Sequence, residues 1–134
     1  MDFRKSELFT LDGDNFIVQA KHWVELSYKG MQAFNDGRNR WAIYAYIYPK
    51  HKLFAEIKAD GGMWQDAFND LPLHRGCSYF KRHIDDESGK TTSYQIGCDY
   101  NHHGDDEFTY MKDERDAWGV LEDARRLFKV LSND

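Results

Sequence analysis

Two cysteines and two prolines in 134 residues exclude several classes of protein at once. Cys77 and Cys98 are too few to staple a disulfide scaffold, and read as reduced thiols. Pro49 and Pro72 stand alone, so the chain holds no proline-rich linker. No apolar run approaches the roughly 20 residues that a membrane helix needs. The opening residues, MDFRKSELFTLDGD, contain no apolar stretch of signal-peptide type, and the expectation is a cytoplasmic protein. Positive charge is also short: 18 Lys and Arg stand against 23 Asp and Glu, giving a net charge of −5. Direct nucleic-acid binding is therefore not expected, because it requires a basic face to replace counterions. Repeats, low-complexity tracts and linkers are absent, so residues 1–134 are expected to form one domain.

Aromatic residues are what the chain has in plenty, at 16%, well above what a disordered segment carries. The clearest strand is WAIYAYIYP (41–49). Trp41, Ile43, Ala45 and Ile47 fall on one face and Tyr44, Tyr46 and Tyr48 on the other. Such a strand is expected to be central and covered on both sides, ending at Pro49. Upstream, a turn at Asp12-Gly13-Asp14 separates a short strand from a longer one over 16–26, and NDGRNR reads as a loop. Residues 50–72 look irregular, with a short helix in GMWQDAFNDLP. CSYFKRHI and TSYQIGCDY flank the turn DDESGK. At the end, Trp118, Leu121, Ala124, Leu127, Phe128 and Leu131 recur at helical spacing, with Asp113 as expected N-cap and Gly119 a weak point. These elements predict an α+β fold: an antiparallel sheet with a C-terminal amphipathic helix packed on one face.

A turn centred between Glu87 and Ser88 would set Cys77 opposite Cys98, Tyr79 opposite Ile96 and Lys81 opposite Tyr94. His74 and Asp99 then share a face as diagonal neighbours, unless the register slips by one residue. The following loop, GCDYNHHGDD (97–106), returns His102 and Asp105, with Gly104 allowing a sharp turn. Histidine nitrogen with carboxylate oxygen suits Zn²⁺, with Mn²⁺ or Fe²⁺ as alternatives. His74, Asp99, His102 and Asp105 would close a four-ligand site; three of them with a water would leave it open. The same residues also suit a polar loop in which Asp99 and Asp105 cap backbone amides and His102 is solvated.

The segments WAIYAYIYP, KHKLF (50–54), LHRGCSY (73–79) and IGCDYNHHGDD (96–106), with the C-terminal helix, carry a resemblance. The chain is similar to a family of small proteins of bacteriophages and other mobile elements, marked by H-G-G-x-T-Y and G-F-D-x-x-H-x-G-D motifs. One branch of that likeness includes an anti-CRISPR protein. The resemblance implies that the family's histidine falls on His74, and its aspartate, histidine, glycine and aspartate on Asp99, His102, Gly104 and Asp105. It implies ordinary packing roles for Cys77 and Cys98, where the family has apolar residues. Arg75, in place of the first glycine of a pair, departs from the pattern, as do Ala42 and Ile43 in place of Asn-Gly. The function implied is that of a phage accessory protein that binds a host protein, such as a CRISPR effector, in the cytoplasm of its bacterial host.

Three readings follow. In the first, a stoichiometric inhibitor of host defence carries a structural metal that clamps the hairpin and the loop after it. In the second, a small metal-dependent hydrolase keeps a metal-bound water, with Asp106 or Glu107 as general base. In the third, a metal-free structural protein uses none of this chemistry. Nucleophile, phosphate-loop, dinucleotide and H-E-x-x-H motifs are absent, so the leaning is away from an enzyme. His51 is expected as an exposed loop histidine, and Trp23, Tyr44, Tyr46 and Trp64 as candidates for a partner patch. Oligomeric state stays open.

Overall fold

The computed structural model describes residues 3–25, 39–100 and 106–133. The first two strands are β1 (Phe3–Gly13) and β2 (Phe16–Glu25). They are joined by a tight turn in which Asn15 takes the left-handed conformation at φ 66°. The strand β3 (Asn39–Ile47) follows, then two short 3₁₀ helices, η1 (Lys52–Glu56) and η2 (Asp66–Phe68). The hairpin β4 (Tyr79–Ile84) and β5 (Thr91–Asp99) leads to η3 (Asp106–Tyr110) and the helix α1 (Trp118–Ser132). All neighbouring strands are antiparallel, in the order β1-β2-β3-β5-β4. The predicted α+β fold is therefore the observed one, with β3 central. Of the expected loop NDGRNR (35–40), residues 35–38 lie outside the described residues, whereas Asn39 and Arg40 open β3.

Register follows from burial. Phe16 faces Ile47, Val18 faces Ala45 and Ala20 faces Ile43, while Ala45 faces Ile96 and Ile43 faces Cys98 on the other side of β3. All of these are buried, so slipping any pair by one residue would turn apolar side chains out to water. The helix α1 lays Val120, Leu121, Ala124, Leu127 and Leu131 on this face, packing chiefly on β2. Each fully buried leucine contributes about 1.5–3 kcal/mol relative to exposure. The short helices add aromatic contacts to the same face: Phe54 against Tyr94, Phe68 against Phe80 and Phe108 against Tyr100.

Several expectations are corrected here. Among the described residues every helix packs on one face of the sheet; on the other face of β3 Ala42 is buried and Tyr44 and Tyr46 are half-buried. Helix α1 begins five residues after Asp113. Asp113 and Asp116 instead close the preceding turn, accepting from the Asp116 and Lys112 amides at 2.9 and 3.0 Å. Trp118 then lies at the first helical position, pointing to solvent.

The hairpin register also differs by one residue. Ile84 faces Thr91, as the turn dictates, but His83 faces Ser93. Thr92 is the extra residue of a β-bulge, and its hydroxyl donates to the His83 carbonyl at 3.2 Å. Beyond the bulge Tyr79 faces Gly97, not Ile96, and Lys81 faces Gln95, not Tyr94. Cys77 lies before β4 and is not the cross-strand partner of Cys98.

Candidate functional site

The candidate site is centred on His74, beside Tyr100 at the end of β5. Residues 74–76 turn the chain sharply into β4. Arg75 and Gly76 are both left-handed, at φ 60° and 85°, and the Gly76 amide donates to the Leu73 carbonyl. For Arg75 this conformation costs about 1–2 kcal/mol, which the surrounding packing must offset. The turn sets the His74 ring flat on Tyr100, with centroids 4.4 Å apart at 17°. Phe108 of η3 meets both rings, its centroid 5.5 Å from His74 and 4.9 Å from Tyr100.

Tyr100 is the fixed point of this cluster. It is fully buried, and its amide donates to the Trp41 carbonyl. Its hydroxyl donates to the Asp123 carboxylate on α1 at 2.6 Å, and Arg126 donates to the other oxygen of that group at 2.8 Å. Burial first, then the neighbouring Cys98 and Asp123, holds the phenol far above its ordinary range. Tyr100 thus acts as a neutral donor that ties the end of β5 to the helix.

Asp99 is placed differently. It is the last residue of β5, opposite Ala42, and alternation points its side chain away from the Cys98 and Tyr100 face. Its charge reaches the face of Tyr44, whose phenol rises to about 12, mainly through burial, then through Tyr79 and Asp99. His74 and Asp99 therefore do not share a face. The reason is the bulge together with the turn at Arg75 and Gly76, which breaks the alternation assumed for His74. His102, His103, Gly104 and Asp105 lie outside the described residues. Among the described residues no group of three His, Cys, Asp or Glu side chains stands close enough to hold a metal.

The two thiols are free. Burial pushes Cys98 up to about 12, against the lowering effect of the His74 backbone amide. Cys77 is also raised by burial, and donates to the Tyr79 carbonyl at 3.2 Å. Both shifts favour the thiol over the thiolate at neutral pH, which disfavours reaction.

His51 overturns its expectation. It is buried, and its Nδ1 accepts from the Leu53 amide at 2.9 Å. The proton must then sit on Nε2, which donates to the Leu131 carbonyl at 3.0 Å. One ring closes the start of η1 and the end of α1. Sequence reasoning also missed a cleft of about 730 Å³ lined by Phe9, Trp41 and Leu121 and by the charged run Lys112, Asp113, Glu114 and Arg115. On its wall His22 stacks on Trp41 at 4.3 Å and donates to Asn39, whose own amide group holds the Thr109 carbonyl. No short motif marks it.

Comparison with known proteins finds no matching protein-family model, no matching curated protein and no matching solved structure.

Proposed function

We propose that this chain is a metal-binding phage accessory protein that acts by stoichiometric binding to a host-defence protein, such as a CRISPR effector. The metal, Zn²⁺ or else Mn²⁺ or Fe²⁺, would be held by His74 with His102 and Asp105, and Asp99 is the fourth candidate. One observation carries the metal half of this reading. Tyr100 and Phe108, which stand on either side of the 101–105 segment in sequence, both pack on the His74 ring. A ligand pair from that segment would therefore enter and leave beside His74. Imidazole and carboxylate donors fit a borderline divalent cation, which when bound would clamp the segment to the 74–76 turn.

The partner half rests on the resemblance of 73–79 and 96–106 to the phage family. One structural detail favours it: Arg75 and Gly76, where the resembled motif carries its glycine pair, are both left-handed. Asp99, on the Tyr44 face, is the weakest candidate ligand.

The test is metal content by mass spectrometry on protein purified without a histidine tag, beside His74→Ala, His102→Ala and Asp99→Ala. Near-stoichiometric metal that is lost in both histidine variants, together with thermal stability, is the expected result. Retention in Asp99→Ala would leave three protein ligands, and loss there would return Asp99 to the set. Metal-free protein in every case, with equal melting, would refute the metal reading. Chelator-sensitive turnover of phosphodiesters or amides would move the site to the hydrolase reading.

A further inference from the structure

Among the described residues the most exposed large apolar side chain is Trp64, at 82%, next to Met63 at 36%. Both sit in the loop between η1 and η2, and that loop is held from inside. The Gln65 carboxamide accepts from the Lys58 amide at 2.8 Å and donates to the Lys58 and Gly62 carbonyls at 3.0 and 2.9 Å. The Gly61 amide adds a bond to the Lys58 carbonyl. Gly62 takes a left-handed φ of 74°, and a Cβ on Gly61 would press on the Gln65 amide. Ile57 and Phe68, on either side, are buried in the core. The backbone that carries the indole is thus braced, so little loop-ordering entropy remains to be lost when it docks. Tryptophan with this exposure and this support is the residue type that dominates protein–protein binding energy.

The flanking charge states what kind of surface receives it. Along residues 56–70, Glu56, Asp60, Asp66 and Asp70 are exposed, against the single cation Lys58. Four carboxylates beside an indole oppose approach to an anionic lipid surface and favour a pocket bordered by cations. We propose that Met63 and Trp64 form the docking anchor of this chain, entering an apolar socket edged by Lys or Arg on a partner protein. The proposal deepens the partner-binding half of the reading above and is independent of its metal half.

The experiment places a photo-crosslinking benzophenone amino acid at position 64 of the full chain, in cells of the bacterial host. Position 118 serves as control, since Trp118 is also exposed but belongs to α1, outside this loop. The expected result is a light-dependent protein adduct at 64 and not at 118, mapped by mass spectrometry to an apolar residue beside Lys or Arg. With that partner purified, Trp64→Ala weakens binding at least tenfold, Trp118→Ala less than twofold, and added salt weakens the wild type. Gln65→Ala, which keeps the indole and removes the brace, weakens binding severalfold. No adduct, equal adducts at both positions, an adduct to lipid or to a second copy of this chain, or full affinity in Trp64→Ala would each overturn the proposal. Metal content and melting, read on the same preparations, separate its failure from that of the metal reading.

Discussion

Replacing His51 by leucine isolates what one buried imidazole contributes to this fold. Leucine keeps an apolar body of similar reach against Phe16, whose ring centroid lies 5.3 Å from the imidazole. It removes both ring nitrogens. The Leu53 amide then loses its acceptor and the Leu131 carbonyl its donor. A buried backbone group left without a partner costs about 1–3 kcal/mol. The two are not equal. Leu53 is buried, and its amide is bonded to the ring nitrogen. Leu131 is in the last turn of α1, next to the exposed Ser132, and fraying can let its carbonyl reach water. The full cost applies to the first group and a smaller one to the second, giving about 2–4 kcal/mol. In a chain of this length that lowers the melting temperature by about 8–15 °C. Urea unfolding of wild type and His51→Leu measures the difference directly, at unchanged slope. A slowly exchanging Hε2 proton in the wild-type NMR spectrum would confirm the tautomer. A variant within about 0.5 kcal/mol of wild type would refute the reasoning, because it would mean that neither backbone group depends on the ring.

Gly97 lies across from both Tyr44 and Tyr79, whose rings meet edge to face at 5.2 Å. A Cβ there would collide with the Ile43 carbonyl and the Tyr44 ring, so Gly97→Ala should cost about 3 kcal/mol or more in unfolding measurements, and a change under 1 kcal/mol would sink the close-approach account. Alkaline stability follows from groups raised on folding: Cys98 from 9.0 to about 12 and Tyr44 from 10.0 to about 12. Their contribution is complete below pH 9 and is lost as pH rises toward 12, because the unfolded chain releases these protons first; a stability plot flat from pH 8 to 11 would contradict it. Under native conditions a thiol reagent at pH 7 should leave Cys98 unmodified until unfolding, and prompt labelling of both cysteines would show that the burial is not maintained.

The sheet and helix were legible because their patterns have only one solution. In 41–47 the large apolar residues Trp41, Ile43 and Ile47 fall on one face, and shifting the phase would bury tyrosine hydroxyls and expose Ile43. The helix core at Leu121, Ala124, Leu127 and Leu131 was readable for the same reason. The hairpin register was not, and its polar residues explain why. Across the turn His83 and Ile84 face Ser93 and Thr91, with Thr92 between them, and neither the Lys81–His83 run nor the Thr91–Ser93 run prefers a face strongly enough to reveal an inserted residue. The start of α1 was misplaced because DERD offers more than one capping carboxylate, and those at Asp113 and Asp116 serve a separate turn. His51 reads as a surface residue in KHK because the backbone groups that need it belong to Leu53 and to Leu131, eighty residues away.

The same limits decide how far the 97–106 motif could be read. Its residues were identifiable by type, but ligand sets depend on faces, and a face is fixed by single-residue steps. At the end of β5 one step separates Asp99 from Tyr100, and it sends a carboxylate to the Tyr44 side and an aromatic ring to the helix side. The aromatic ring has the deeper hold: its hydroxyl and its amide are both bonded, to Asp123 and to Trp41. Rotating the strand end to bring Asp99 beside His74 would break both bonds and unstack His74 from Tyr100. For the metal site proposed above, a ligand set that includes Asp99 would have to offset all three losses, so Asp99→Ala, not His74→Ala, is the variant whose metal content tests whether Asp99 belongs to it.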